Sequence, residues 1–161
     1  LIDHGVAVLG AVYAPAFARL FSGSSRGAHE WQWPVARNAA ELTLDSSRAI
    51  HARHPVHAPV GLWSRSHGKY REDEYRNHYD IGPVRVVGSS LKFCLIAASE
   101  ADIYPRHGTT MEWDTAAGQA VLEAAGGSVC DLFGKRLTYG KVADRFANPS
   151  FVARGQASYH A

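Results

Sequence analysis

The residue with the clearest chemistry in this sequence is a carboxylate set against the start of a helix. Asp114 lies in Trp113-Asp114-Thr115-Ala116-Ala117-Gly118, and the small-residue pattern runs on to Ala124-Ala125-Gly126-Gly127. A helix over Thr115 to Ala125 is predicted, with Asp114 at its N-cap and the glycine pair as its stop. A capping carboxylate accepts backbone N–H bonds, and the helix dipole favours its ionised form. An ionised oxygen is what Mg²⁺ requires, and phosphate binds well beside a helix N-terminus. One Asp here can hold a metal that bridges to a phosphate. It also reads as a plain cap, since Asp is a common one.

A second stretch is cationic. Gly88-Ser89-Ser90-Leu91-Lys92 opens an apolar helix, Leu91 to Ala98, with Ser89 or Ser90 as its cap. Such a turn presents N–H groups and hydroxyls to an anion. Lys92 lies one turn inside, and Arg106 follows Tyr104-Pro105 at a loop start. Together they can form a cationic pocket for a phosphate. The competing reading makes both solvated surface charges. His67, in Ser64-Arg65-Ser66-His67 after the strand from Val60, can touch a base or a phosphate, or be an ordinary surface histidine. His51, His54 and His57 recur every three residues, but Pro55 and Pro59 argue against a helix converging them on zinc.

The elements that must position these groups alternate. Val6 to Tyr13 reads as a strand entered through a turn at Asp3-His4-Gly5 and stopped by Pro15. Ala18 to Ser22 is its hairpin partner, with Ser22-Gly23-Ser24-Ser25 as the closing loop. Residues 26 to 58 show no sustained period, with a short strand around Leu42-Thr43-Leu44. Val60 to Ser64 reads as a strand and charged Tyr70 to Tyr79 as a surface helix. Short strands follow at Val84 to Val87, Ala101 to Tyr104, Ser128 to Leu132 and Phe151 to Ala153. The pattern is that of one mixed α and β domain without repeats.

Bulk properties exclude several classes. The 161 residues are 46% hydrophobic and 20% charged, the balance of a folded domain rather than a disordered chain. No apolar run is long enough to span a membrane. A net charge of +2 is too small to argue for a nucleic-acid surface. Cys94 and Cys130 form no CxxC pair; two free thiols in a reducing compartment are the simplest reading, with one disulfide between them the alternative.

Taken together, these stretches resemble the inositol monophosphatase superfamily. Trp113-Asp114-x-Ala116-Ala117-Gly118, with Gly126-Gly127 beginning nine residues after Ala117, resembles its second signature. Four further stretches look like the CysQ-type branch of 3'(2'),5'-bisphosphate nucleotidases: Gly88-Ser89-Ser90-Leu91-Lys92-Phe93-Cys94, Ala101-Asp102-Ile103-Tyr104-Pro105-Arg106, Ser64-Arg65-Ser66-His67, and Gly134-Lys135-x-Leu137-x-Tyr139 with Asn148-Pro149-x-Phe151. The opening, Gly5 to Pro15, is similar to the strand pair after the family's first metal motif.

The resemblance implies an α/β (α+β) fold, the C-terminal part of a layered α/β/α/β/α sandwich of the inositol monophosphatase and fructose-1,6-bisphosphatase type. It implies Mg²⁺-dependent hydrolysis of 3'-phosphoadenosine 5'-phosphate to AMP and phosphate. It makes Asp114 a carboxylate ligand of one metal, Ser89, Lys92 and Arg106 contacts to the nucleotide and its non-scissile phosphate, and His67 a nucleotide contact. The family's first signature, Asp-Pro-x-Asp-Gly-Thr, does not occur in the sequence. The expectation is therefore a single-domain fragment over residues 1–161, inactive alone, with a sheet edge and apolar surface left open. The family's role in sulfur assimilation and the lack of a targeting segment imply a cytoplasmic protein, with peripheral membrane association left open. Three rivals stand beside this reading. A sugar or inositol phosphatase would not need both Lys92 and Arg106, a non-catalytic nucleotide-binding module would not need Mg²⁺, and an RNA binder would stack bases on Trp31 and Trp33.

Overall fold

The computed structural model describes residues 1–34, 44–54, 56–64 and 72–156. Leu42, Thr43 and His67 lie outside the described residues.

The turn expected at Asp3-His4-Gly5 joins β1 (Ile2–Asp3) to β2 (Val6–Ala7). His4 and Gly5 take φ of 46° and 79°, the left-handed pair that a two-residue hairpin demands. The strand expected over Val6 to Tyr13 is broken, because the Val8 N–H bonds back to the Leu1 carbonyl at 3.1 Å, and β3 begins at Gly10 (Gly10–Ala14). Pro15 stops it in a 3₁₀ turn, and Ala18, at φ 50°, reverses the chain into β4 (Arg19–Ser24). The hairpin thus closes at Pro15–Ala18, not at Ser22–Ser25. Ser24 ends β4, and a turn there leads into β5 (Gly27–Gln32). β6 (Arg48–Ile50) completes a four-stranded antiparallel sheet in the order β3-β4-β5-β6.

β5 sits in the stretch whose sequence had no readable period. Its alternation is hidden by Glu30, which is buried and held by Arg19 Nε at 2.6 Å and Arg48 at 2.5 Å. A buried carboxylate survives only when paired in this way. Trp31 and Trp33 are buried, so they offer no platform for bases.

From residue 61 the chain alternates: β7 (Gly61–Trp63), α1 (Glu72–His78), β8 (Val84–Val86), α2 (Leu91–Ala97), β9 (Ile103–Arg106), β10 (Thr110–Met111), α3 (Glu112–Ala124), β11 (Ser128–Asp131), β12 (Ala147–Asn148) and β13 (Phe151–Arg154). Five of these strands form a sheet in the order β11-β13-β9-β7-β8, parallel at β7-β8 and β7-β9 and antiparallel elsewhere. Pro105 is tolerated inside β9 because β7 pairs only as far as Ile103, leaving no ladder bond there for the missing N–H.

Side chains alternate across this sheet as strand geometry requires. Leu62, Tyr104, Phe151 and Ala153 face α2 and α3, in one core with Phe21, Ala28 and Ile50 of the first sheet. Trp63, Ile103 and Val152 face the other way and are covered by Tyr75 and Tyr79 at α1. The layers therefore run sheet, helix pair, sheet, helix, the mixed α/β order expected for four of the five layers. Among the described residues nothing pairs with the outer edge of β3, and Leu1, Ile2, Leu9 and Phe17 are exposed. Cys94 and Cys130 are free thiols, as expected.

Candidate functional site

Small residues set the depth of α3. A Cβ on Gly118 would fall 2.5 Å from the Phe93 ring of α2, and one on Gly23 would fall 2.5 Å from the Val121 Cα. Gly10 is pressed against the Ala117 carbonyl in the same way. The spacing of alanine and glycine after Asp114 therefore lets one helix lie between β3, β4 and α2, and so fixes where its first turn emerges.

That first turn differs from the sequence expectation. α3 starts at Glu112, with Met111 as N-cap, so Asp114 is its third residue and not its cap. The reason lies in Glu112. Its carboxylate accepts the Gly140 and Lys141 N–H groups at 2.8 Å each and pairs with Lys141 Nζ at 2.9 Å, which draws the turn three residues upstream. Burial opposes ionisation of Glu112, but these donors outweigh it and hold its pKa below the ordinary value. Asp114 reaches back, and its Oδ2 accepts the Met111 N–H at 3.0 Å, half of a capping box. The residue is exposed, and among the described residues no hydrogen bond engages its Oδ1.

The Gly88–Ser90 turn is bound to the same place. Ser89 takes φ 58°, the left-handed region that costs a residue with a Cβ. Ser90 precedes α2 but does not cap it. Its Oγ donates instead to the Asp114 carbonyl at 2.8 Å. α2 has only seven residues, so its dipole adds little, and side-chain charge must supply the attraction for an anion.

That charge is buried. Lys92 is 2% exposed and Arg106 6%, so neither is a solvated surface charge. Arg106 ends strand β9 instead of opening a loop. Lys92 Nζ donates to the carbonyls of Val87 at 3.2 Å and Ser89 at 3.0 Å, and lies 4.6 Å from the centre of the Tyr104 ring. Arg106 reaches Ser64 Oγ and the Thr109 carbonyl only at 3.4 Å, and its buried Nε has no partner. Among the described residues no carboxylate forms an ion pair with either cation. Burial, and then the positive charge of Arg106, push the Lys92 pKa down to about 8. Burial raises the Tyr104 hydroxyl, opposed by its bond with Ser64.

Ser64, Ser89, Lys92, Tyr104, Arg106 and Asp114 line one cavity of about 220 Å³. The structure thus brings together four of the five residues singled out in the sequence, while the fifth, His67, lies outside the described residues. Tyr104 and Glu112 had no role assigned from sequence. The signal for Tyr104 was its place beside Pro105-Arg106, and for Glu112 a second acid in the first turn of α3. The buried cations without a counter-charge suit an anion. Among the described residues no group of three or more His, Cys, Asp or Glu could hold a metal, which includes the zinc arrangement considered for the histidines. Asp114 fits Mg²⁺ as a single oxygen ligand, and Mg²⁺ is commonly held by one or two carboxylates plus water and substrate phosphate.

The profile of the inositol monophosphatase family matches residues 1–158, and the chain belongs to that family. It is 38% identical over 151 residues to the 3'(2'),5'-bisphosphate nucleotidase CysQ of Escherichia coli (strain K12), an alignment covering 94% of this chain and 56% of the relative. To the protein of the same name from Buchnera aphidicola it is 38% identical over 155 residues, covering 95% and 54%. The crystal structure of CysQ from Bacteroides thetaiotaomicron, described as a bacterial member of the inositol monophosphatase family, superposes with a TM-score of 0.82 at 30% identity. It covers 97% of this chain and 60% of that one. The chain thus spans little more than half the length of these relatives.

Proposed function

We propose that this chain is the C-terminal, substrate-holding part of a Mg²⁺-dependent phosphomonoesterase that removes the 3'-phosphate of 3'-phosphoadenosine 5'-phosphate, giving AMP and phosphate. The observation that carries the reading is the pair of buried cations, Lys92 and Arg106, neither in an ion pair among the described residues, in one cavity with Asp114. A monophosphate ester needs a metal at its scissile group. A second, non-scissile phosphate needs fixed positive charge, which Lys92 and Arg106 supply.

In this reading the Arg106 guanidinium supplies fixed charge to the non-scissile phosphate, and Lys92 adds a charged N–H from α2. The Ser89 hydroxyl and His67 complete the grip on the nucleotide. Asp114 offers an oxygen to Mg²⁺, which when bound polarises the scissile phosphate and acidifies the attacking water. Ser90 ties the two regions together through the Asp114 carbonyl. The remaining metal ligands and the activating hydroxyl are expected from the family's first signature and an upstream Glu, so residues 1–161 alone form a domain expected to release little or no phosphate. No helix among the described residues is long and apolar enough to cross a membrane, and a cytoplasmic reaction fits the chemistry.

The test is Mg²⁺-dependent phosphate release by a protein of the relatives' length that carries this chain, with 3'-phosphoadenosine 5'-phosphate and inositol 1-phosphate offered in parallel. Preference for the nucleotide, lost in Lys92→Met and Arg106→Met, is expected. Preference for the inositol ester, untouched by both substitutions, would leave the fold standing and remove the nucleotide.

A further inference from the structure

Lys92 is equipped for more than electrostatics. A neutral primary amine has two hydrogens and one lone pair. The two carbonyls at Lys92 Nζ, of Val87 at 3.2 Å and Ser89 at 3.0 Å, can take both hydrogens and leave the lone pair unengaged. The amine is buried against the face of Tyr104 and shares a cavity with a second cation, Arg106. These are the two settings, desolvation and a neighbouring positive charge, that make a lysine a nucleophile toward carbonyl carbon.

We propose that this cavity is also a covalent site for small phosphate-bearing aldehydes: the phosphate seats on Arg106 and the aldehyde carbon condenses with Lys92 Nζ. The lone pair of the amine attacks the carbonyl carbon and forms a C–N bond. The two amine hydrogens then leave with the carbonyl oxygen as water, and a C=N bond remains. No oxidant or reductant enters, and hydrolysis reverses the step. The consequence is a reversible block of the anion pocket by a phosphorylated aldehyde. The lowered Lys92 pKa, about 8, supports the reactivity, because near that pH about half of this amine is neutral, against less than about one per cent of an ordinary lysine. The proposal rests on the anion-pocket reading above and adds a chemical class of ligand to it.

The experiment treats the 161-residue chain with glyceraldehyde 3-phosphate or with glyceraldehyde, traps imines with cyanoborohydride, and maps the modified lysines by peptide mass spectrometry. Sulfate binding to the same sample is measured by calorimetry. Lys92 should be modified at least about tenfold faster by the phosphorylated aldehyde than by the neutral one, and about tenfold faster than Lys69, Lys135 or Lys141. Sulfate should protect it, and the rate should level off above about pH 8, where the other lysines keep rising. Even labelling of all four lysines, equal labelling by glyceraldehyde, or labelling that sulfate does not suppress would overturn the proposal. Sulfate binding without any labelling of Lys92 would overturn it and leave the anion pocket intact. Loss of both sulfate binding and labelling would remove the pocket reading itself.

Discussion

Lys92 should make anion binding fall as the solution becomes alkaline, over a range where an ordinary lysine would not. Its pKa is about 8 in the folded chain, against about 10.4 for a lysine in water. Between these values the folded state binds fewer protons than the unfolded one, so stability itself should rise with pH across the window. Below about pH 8 the ammonium is buried at a cost of about 3 kcal/mol, the shift multiplied by about 1.4 kcal/mol per unit. A bound anion reverses that cost, because it supplies the counter-charge that Lys92 lacks. Affinity should therefore be highest with Lys92 charged and should fall as pH rises through its pKa. A charge-assisted hydrogen bond contributes about 1.5–3 kcal/mol, which corresponds to a loss of about 10- to 60-fold between about pH 7 and pH 10. Sulfate is the right probe, since its own charge is constant over that range. Calorimetric titration of the wild-type chain should show the decline. Lys92→Met should bind weakly with a flat profile, while Arg106 keeps a residual affinity at every pH. A flat profile in the wild-type chain would refute the assignment of a titrating, anion-facing amine.

Three other outcomes follow from the packing. Asp114→Asn should leave urea stability within about 0.5 kcal/mol, because the carboxamide oxygen can still accept the Met111 N–H. In the longer protein it should lower Mg²⁺-dependent phosphate release by about a hundredfold or more. Gly118→Ala should destabilise by about 1–3 kcal/mol in urea, since the new methyl meets the Phe93 ring at 2.5 Å on a helix wedged between two layers. Ser90→Ala should cost about 1 kcal/mol in the same assay, the loss of one bond to the Asp114 carbonyl, because α2 has no cap bond from Ser90 to lose.

The parts of the fold that were legible in the sequence were those with local grammar. The Asp3-His4-Gly5 turn, the strand at Val60, the α2 segment and the α3 stop at Gly126 all carry their own residues' preferences. β5 was not legible, because its inward-facing Glu30 looks polar until Arg19 and Arg48, distant in sequence, are placed around it. The break after Ala7 was hidden for a similar reason. It depends on the Val8 N–H turning back to Leu1, which no propensity records.

The site divides along the same line. Composition and spacing identified Lys92 and Arg106 as cations near a Gly-Ser-Ser turn, but local pattern favours exposure for any charged side chain. Lys92 is buried against the Tyr104 ring of β9, and Arg106 is buried as the last residue of that strand within the second sheet. The start of α3 was misplaced by three residues because the deciding group, Glu112, is anchored to Gly140 and Lys141, nearly thirty positions away. That displacement matters for chemistry. A true N-cap Asp turns its carboxylate inward onto its own helix. At the third position one oxygen accepts the Met111 N–H, and the residue is exposed. The tertiary anchor that defeated the boundary prediction thus sets Asp114 at the third position of α3, where its carboxylate caps the Met111 N–H.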